Sequence, residues 1–549
     1  MVEHGRVTNE ERNWVWMAAG IAGLVMLLPY FMGFAAQGQD WRFSGFVFGL
    51  EDGNSYMADM HSGANGAWIF RSPYTPFPQN GVITFLPYLL LGKLAASPGM
   101  HEQLAALFHL LRTLAVILVF YATYDFLALF IQDVKLRRLA TVLASVGSGL
   151  SWLFFHGGEN WMASMPLEFY SPEAFGFLAL FGIPHLALAR AFLLWGLRSF
   201  ILLLTCEEST LKQRGLITGV FWLAAMLAQP LIGLVSGAIP AAFLAVSGIA
   251  LLIRRSAGQP ADFATWKRLF KGVLWGGLIA GPFAVYNMLS FLLDPYLRTW
   301  NVQSYIPSAH PLVYLAAYGI LLPFAIAGAL GLKRRNAWQA AFLSAWVVLF
   351  WAAIYIPYSQ QRRLLDGIWV GLMALTFVGL ETNRSAQGCG RWLWRARPVL
   401  LATLIAPLLL MAGSFQVAMH PAPPAFVPRD QAAVFECLAE QGLDGEVALA
   451  AYATSNALPA WAPLRVVAGI GTLSAQAGQL QHEVAAFFHQ DTTDEERVGI
   501  LNRYGIRVVL WGPQERELGE FNPHTWRRLD LLCNQGEYQS FRVTAPNLQ

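Results

Sequence analysis

Twelve apolar stretches run through the first 417 residues, near 13–35, 82–96, 104–131, 137–155, 173–205, 215–233, 235–253, 270–293, 312–332, 338–356, 364–381 and 397–417. Most have about the 20 residues with which a helix crosses roughly 30 Å of hydrocarbon. Two do not fit one span each. The stretch 82–96 is short, and 173–205 is too long, with Pro184 inside it. Ser171-Pro172-Glu173 reads as a cap and first turn, so the part before Pro184 is expected to lie along a surface. After residue 418 the pattern changes. "HPAPPAFVPRD" is a proline-rich exit, followed by strand-like segments at 446–453, 465–469, 506–512 and 540–545 and helical patterns near 430–441, 478–489 and 493–504. "DTTDEERVGILNRYG" runs from an acidic helix start to a glycine stop. The tail is expected to be a small α/β domain.

Basic residues set the direction of the chain. With the N-terminus inside and 82–96 held on the outer surface, five clusters face inside, as the positive-inside rule requires. They are Lys135/Arg137/Arg138, Lys212/Arg214, Arg254/Arg255 with Lys267/Arg268/Lys271, Lys333/Arg334/Arg335, and Arg384/Arg391/Arg395/Arg397. If 82–96 crossed, every later loop would invert. The sequence therefore predicts an α-helical polytopic membrane protein of about eleven transmembrane helices. Its membrane domain spans 1–417, with 36–103 as a first outer loop carrying juxtamembrane helices, and an outer-face α/β domain spans 418–549.

Composition agrees and removes other classes. The 549 residues are 56% hydrophobic and 13% charged, with a mean hydropathy of +0.44, more apolar surface than soluble cores need. A net charge of +3 without a long basic run offers nothing to a nucleic acid. The four cysteines form neither a zinc spacing nor a disulfide framework. Cys206 and Cys389 fall near helix ends, whereas Cys437 and Cys533 share the tail, where an outer location permits a disulfide and the spacing leaves the pairing open. The first apolar segment is too long for a signal core and reads as an anchor. No GxGxxG, P-loop or metalloprotease motif is present, so a cytosolic nucleotide site has no support.

In this topology the inner loops are short and basic, and the outer loops hold the carboxylates, aromatics and amides. The first outer loop reads "EDGNSYMADMHSGANGAWIFRSPYTP" (51–76), and others follow at 156–173, 294–311 and 357–367. That segregation points to chemistry at the outer face. The adjacent pair Glu51 and Asp52 also fits a solvated acidic turn before Gly53-Asn54. Trp68, Phe70, Tyr74 and Phe77 fit a sugar-stacking surface or an ordinary interfacial belt.

The opening helix, the acidic first loop, "PYLLLGKLA", "SPEAF" and "LFHLLRTLAVILVFYATYDFL", with its early arginine, together resemble the GT-C superfamily. These are polytopic glycosyltransferases that take sugars from polyprenyl-phosphate carriers. The likeness runs toward the dolichyl-phosphate-mannose protein mannosyltransferases, the lipid A aminoarabinose transferases and a bacterial branch of the superfamily. It implies a GT-C-like fold and a hexosyl or pentosyl transfer, inverting, to an acceptor hydroxyl on a glycan, lipid or protein. The setting would be the outer face of a bacterial inner or plasma membrane, with the lipid bilayer and the carrier-linked donor as partners. An inverting transfer needs a carboxylate to take the hydroxyl proton and positive charge to receive the phosphate. The resemblance assigns the base to Asp52, with Glu51 orienting it or helping to hold a divalent cation, and it aligns Arg112 with the superfamily's arginine. An ion pair with a loop carboxylate is the plainer reading of Arg112.

Other residues suit the same chemistry. Arg362 and Arg363 follow "YIPYSQQ" at the outer start of a span, where a forked guanidinium meets phosphate oxygens; snorkelling or pairing with Asp366 is the plainer reading. Asp59, seven residues after Asp52, would share its helical face. His185 after Pro184 is a ligand or a packing residue. Glu168 and Glu173 could hold a sugar hydroxyl or a cation, but no spacing fixes a metal site. Arg190 and Arg198 inside a span need partners or a wet cavity. Two other classes stay open: a transporter or flippase of a lipid-linked saccharide, which would show midplane charges and repeats, and a noncatalytic assembly subunit docking through the tail.

Overall fold

The computed structural model describes residues 7–154, 162, 164–387 and 391–544, and within 383–395 the backbone alone. Much of 156–163 and Cys389 lie outside the described residues, as do the side chains of Arg384, Arg391 and Arg395. Contacts divide the chain into two compact units. One takes Met1–Met26, Leu111–Met288 and Tyr305–Ala412, the other Leu27–Leu110, Leu289–Ser304 and Gly413–Gln549.

Among the described residues eight helices are long and apolar enough to cross a membrane: Asn9–Ala36, Met100–Leu127, Pro184–Leu202, Pro230–Ser256, Phe263–Leu293, Pro311–Arg335, Gln361–Thr382 and Ala396–Met419. Three further expected spans also fall on helices. Ala337–Ala353 has 17 residues, Glu208–Ala228 begins with charged residues, and Val134–Val146 has 13. At 1.5 Å per residue the last rises only about 20 Å, short of the hydrocarbon thickness. Leu86–Gly92, within the short stretch 82–96, rises about 10 Å over its seven residues. Ser171-Pro172-Glu173 does not begin a helix, contrary to expectation. Residues 172–174 form a turn, the short helix is Phe177–Gly182, and Pro184 opens the long one. Gly176 lies so near the Ser145 carbonyl that a Cβ would overlap it, a close approach that only glycine allows.

Small residues set the helix packing in the first unit. Gly215 and Gly219 of Glu208–Ala228 face Gly272 and Gly276 of Phe263–Leu293, and a methyl on Gly219 would strike the Gly276 carbonyl. This is a paired GxxxG contact, in which missing side chains let backbones meet in lipid. Gly328 and Gly379 join Leu322–Arg335 to Ile368–Gln387 in the same way. Arg137, counted above among the topogenic cations, is buried and paired with Glu11, which also accepts from the Tyr124 hydroxyl.

The second unit is built on strands. β1 (Trp41–Phe43) pairs antiparallel with β2 (Phe426–Pro428). A five-stranded sheet contains β3 (Val447–Leu449), β4 (Arg465–Val466), β5 (Ile506–Trp511), β6 (Leu529–Gln535) and β7 (Tyr538–Val543), in the order β4-β3-β5-β7-β6. β4, β3 and β5 are parallel, and β7 and β6 close the sheet antiparallel. Helices Arg429–Ala439, Ala477–Phe488 and Asp494–Tyr504 match the three helical patterns read in the tail. Thr493 and Glu496 form a capping box on the last of these, and Gly505 ends it at φ 63°. The core gathers Val447, Leu449, Phe487, Phe488, Val509 and Phe541. Cys437 and Cys533 form a disulfide that ties Arg429–Ala439 to β6.

Candidate active site

The acidic pair opens helix Leu50–Ala64, entered through Gly49 at φ 60°, a backbone conformation that glycine adopts without cost. Glu51 and Asp52 are exposed in its first turn, where the partial positive charge of the helix start favours carboxylates. Glu51 Oε1 lies 3.2 Å from the Tyr452 hydroxyl. One turn on, Asn54 donates to Asn456 Oδ1 at 2.7 Å, and the Tyr74 hydroxyl donates to the Asn456 carbonyl at 3.1 Å. The helix is held at its far end too. Gly63 and Gly92 bring Leu50–Ala64 and Leu86–Gly92 so close that a Cβ on either would overlap the other helix's backbone. Asp59 is 3% exposed although Asp52, on nearly the same face, is exposed; the helix sinks into the core along its length. Burial pushes the Asp59 carboxyl well above the usual carboxylate range.

The other candidates belong to the first unit. Arg362 and Arg363 lie in the single 3-10 turn Gln361–Leu365. The guanidinium of Arg362 sits 4.7 Å over the Tyr170 ring. Arg363 donates to Gln360 Oε1 at 3.1 Å and pairs with Glu173 at 3.4 Å. Asp366 is taken by Arg190, through contacts of 2.9 and 3.3 Å, and not by either of these arginines. Arg190 also donates to the carbonyls of Phe175 at 2.7 Å and Pro172 at 2.9 Å. One ion pair therefore joins the turn that carries Arg362 and Arg363 to the turn that carries Glu173. Two polar atoms here are buried with no hydrogen-bond partner among the described residues: Arg362 Nε and Glu173 Oε2. A buried donor or acceptor left unpaired is costly, and such groups mark places where a polar ligand fits.

His185 is buried at the start of Pro184–Leu202, within electrostatic reach of Arg363. Glu168 is committed elsewhere. Its carboxylate accepts the backbone N–H and the hydroxyl of Ser151, and burial nevertheless raises its pKa. Arg112, 2% exposed, donates to the carbonyls of Phe181 at 2.7 Å and Met26 at 3.3 Å. Among the described residues no three His, Cys, Asp or Glu side chains gather as a metal site would require, so no donor set for a divalent cation can be named.

No family model and no curated protein matches the sequence. Solved structures do. The arabinofuranosyltransferase AftD from Mycobacteria superposes over 98% of this chain and 42% of its own, with TM-score 0.55 and 13% identity. The oligosaccharyltransferase AglB of Archaeoglobus fulgidus, solved with an inhibitory peptide and a dolichol-phosphate, superposes over 92% of this chain and 70% of its own, with TM-score 0.52 and 13% identity. The chain has the GT-C fold. Within the GT-C fold of this chain, sequence reasoning missed Tyr452, Asn456 and Tyr170. Each is a neutral polar residue whose position carries no spacing signal.

Proposed function

We propose that this GT-C protein is a glycosyltransferase that moves a sugar from a polyprenyl-phosphate carrier to an acceptor hydroxyl at the outer face of the membrane, with inversion. The buried, unpartnered donor Arg362 Nε carries the reading, because a phosphate diester headgroup supplies the acceptor oxygen that this N–H lacks. Arg362 and Arg363 receive the carrier phosphate, Asp52 is the general base and Glu51 orients it. The acceptor oxygen attacks the anomeric carbon, its proton passes to Asp52, and the carbon–oxygen bond to phosphate breaks with its electrons leaving on the lipid phosphate. Arg112, Asp59, Glu168 and His185 are framework residues in this reading. The archaeal protein of like fold was solved with a dolichol-phosphate, in keeping with a polyprenyl carrier. Residues 1–417 form the membrane domain and 418–549 the outer domain; the tail disulfide supports that side, since such bonds persist in oxidising compartments.

The test supplies purified protein with radiolabelled polyprenyl-phosphate sugars and membrane extract. Asp52→Asn is expected to lower transfer at least about 100-fold, within the range for loss of a general base, while donor binding persists. Arg362→Ala is expected to weaken donor binding instead. Equal label transfer by wild type and Asp52→Asn would sink the proposed base.

A further inference from the structure

Tyr452 begins helix Tyr452–Ala457, just after β3. Its phenolic oxygen lies 3.1 Å from the backbone N–H of Gly471, in the segment after β4, and 3.2 Å from Glu51 Oε1. The inventory of protons fixes the direction of both bonds. A backbone N–H only donates and a carboxylate only accepts, so the phenol accepts from Gly471 and spends its single hydrogen on Glu51. Burial, and then the nearby charge of Glu51, push the phenol's pKa up, so that hydrogen stays in place at neutral pH.

Neighbouring contacts grip the same helix and the loop that follows it. Asn456, four residues after Tyr452, holds Asn54 by its side chain and Tyr74 by its carbonyl. Ser474 donates to the Tyr74 carbonyl at 2.7 Å, and the N–H of Val466 donates to the Pro73 carbonyl at 2.8 Å. Every one of these tail residues lies in β4 or in the connections that follow β3 and β4. The carboxyl ends of parallel strands, where open α/β sheets place their ligand crevices, are here turned to the acidic turn.

We propose that Tyr452 is a positioning residue for glycosyl transfer, holding the Glu51 carboxylate in one rotamer beside Asp52, and that the tail domain is the scaffold of the acidic turn. The inference rests on the assignment of Glu51 and Asp52 made above. Tyr452→Phe keeps the ring and removes only the hydroxyl. In the transfer assay it is expected to lower kcat about tenfold, the scale of one hydrogen bond to a charged group, with KM for the donor and the unfolding temperature unchanged. Combined with Glu51→Gln it is expected to cost nothing beyond Glu51→Gln alone, since a residue acting through Glu51 has nothing left to position. A Tyr452→Phe enzyme with wild-type kcat, in a series where Asp52→Asn and Glu51→Gln are impaired, overturns the role of Tyr452 alone. So does a double variant whose loss is the product of the single losses. Wild-type rates in both Asp52→Asn and Glu51→Gln overturn the active-site assignment, and the role of Tyr452 falls with it.

Discussion

Replacing Asp366 with alanine strands a guanidinium in the interior of the first unit. Arg190 and Asp366 have side chains 4% and 0% exposed, so water cannot take over the charge that the carboxylate leaves behind. Two of the four hydrogen bonds of Arg190 disappear, and those to Pro172 and Phe175 remain. Breaking a buried pair from one side costs about 3–5 kcal/mol. With an unfolding entropy near 2.1 cal/mol/K per residue over a unit of about 300 residues, 4 kcal/mol corresponds to roughly 6 °C in Tm. The measurement is a thermal scan of detergent-solubilised protein by tryptophan fluorescence, at one fixed scan rate because membrane proteins of this size unfold irreversibly. Arg190→Met combined with Asp366→Ala is expected to recover part of the loss, since no charge is then orphaned, though the two carbonyls lose their donor. An Asp366→Ala protein within about 1 °C of wild type would refute the reasoning, given the expected shift; so would a double variant less stable than the single one. The pair also sets where Glu173 stands relative to Arg363, so donor affinity is expected to fall together with Tm.

Two further outcomes follow from the second unit. Asp59→Asn is expected to raise Tm at pH 7, and the gain is expected to shrink as the pH falls toward 4. Burial raises the pKa of this carboxyl in the folded protein above that in the unfolded chain, so wild type loses stability as pH rises through and above the unfolded value; a gain that grows on acidification would contradict this sign. Cys437→Ser opens a loop of 96 residues and is expected to cost about 2–5 kcal/mol, read as lower protease resistance of the tail, whereas an unchanged digestion pattern would show that the sheet and helices hold it without the bond.

Much of the fold was legible because it is local. The tail helices declared themselves by period, cap and glycine stop, and four of the five strands of its sheet by runs of β-branched and aromatic residues. β6 escaped because "LDLLCNQ" mixes Leu, Asp and Asn with no clear alternation, and its place is set by pairing with β7. Glu51 and Asp52 stood out because the basic clusters put their loop on the outer face and the GT-C resemblance expects a carboxylate there. What no pattern showed was partnership. Glu173 meets Arg363, and Asn54 meets Asn456, across 190 and 402 residues, and such contacts are fixed by tertiary packing. The burial of Asp59 was hidden for a related reason: helical spacing gives the face but not the depth to which that face is buried.

The pairing of β1 with β2 also has a history in time. Trp41–Phe43 and Phe426–Pro428 are some 385 residues apart. At about 5–20 residues per second of synthesis, the ribosome needs roughly 20–80 s to deliver the second strand after the first. Throughout that interval the first strand is an open edge with nothing of its own chain to pair with. Until the second strand is made, the native partner of this three-residue edge does not yet exist, so the pairing closes only once the last helices have been synthesised.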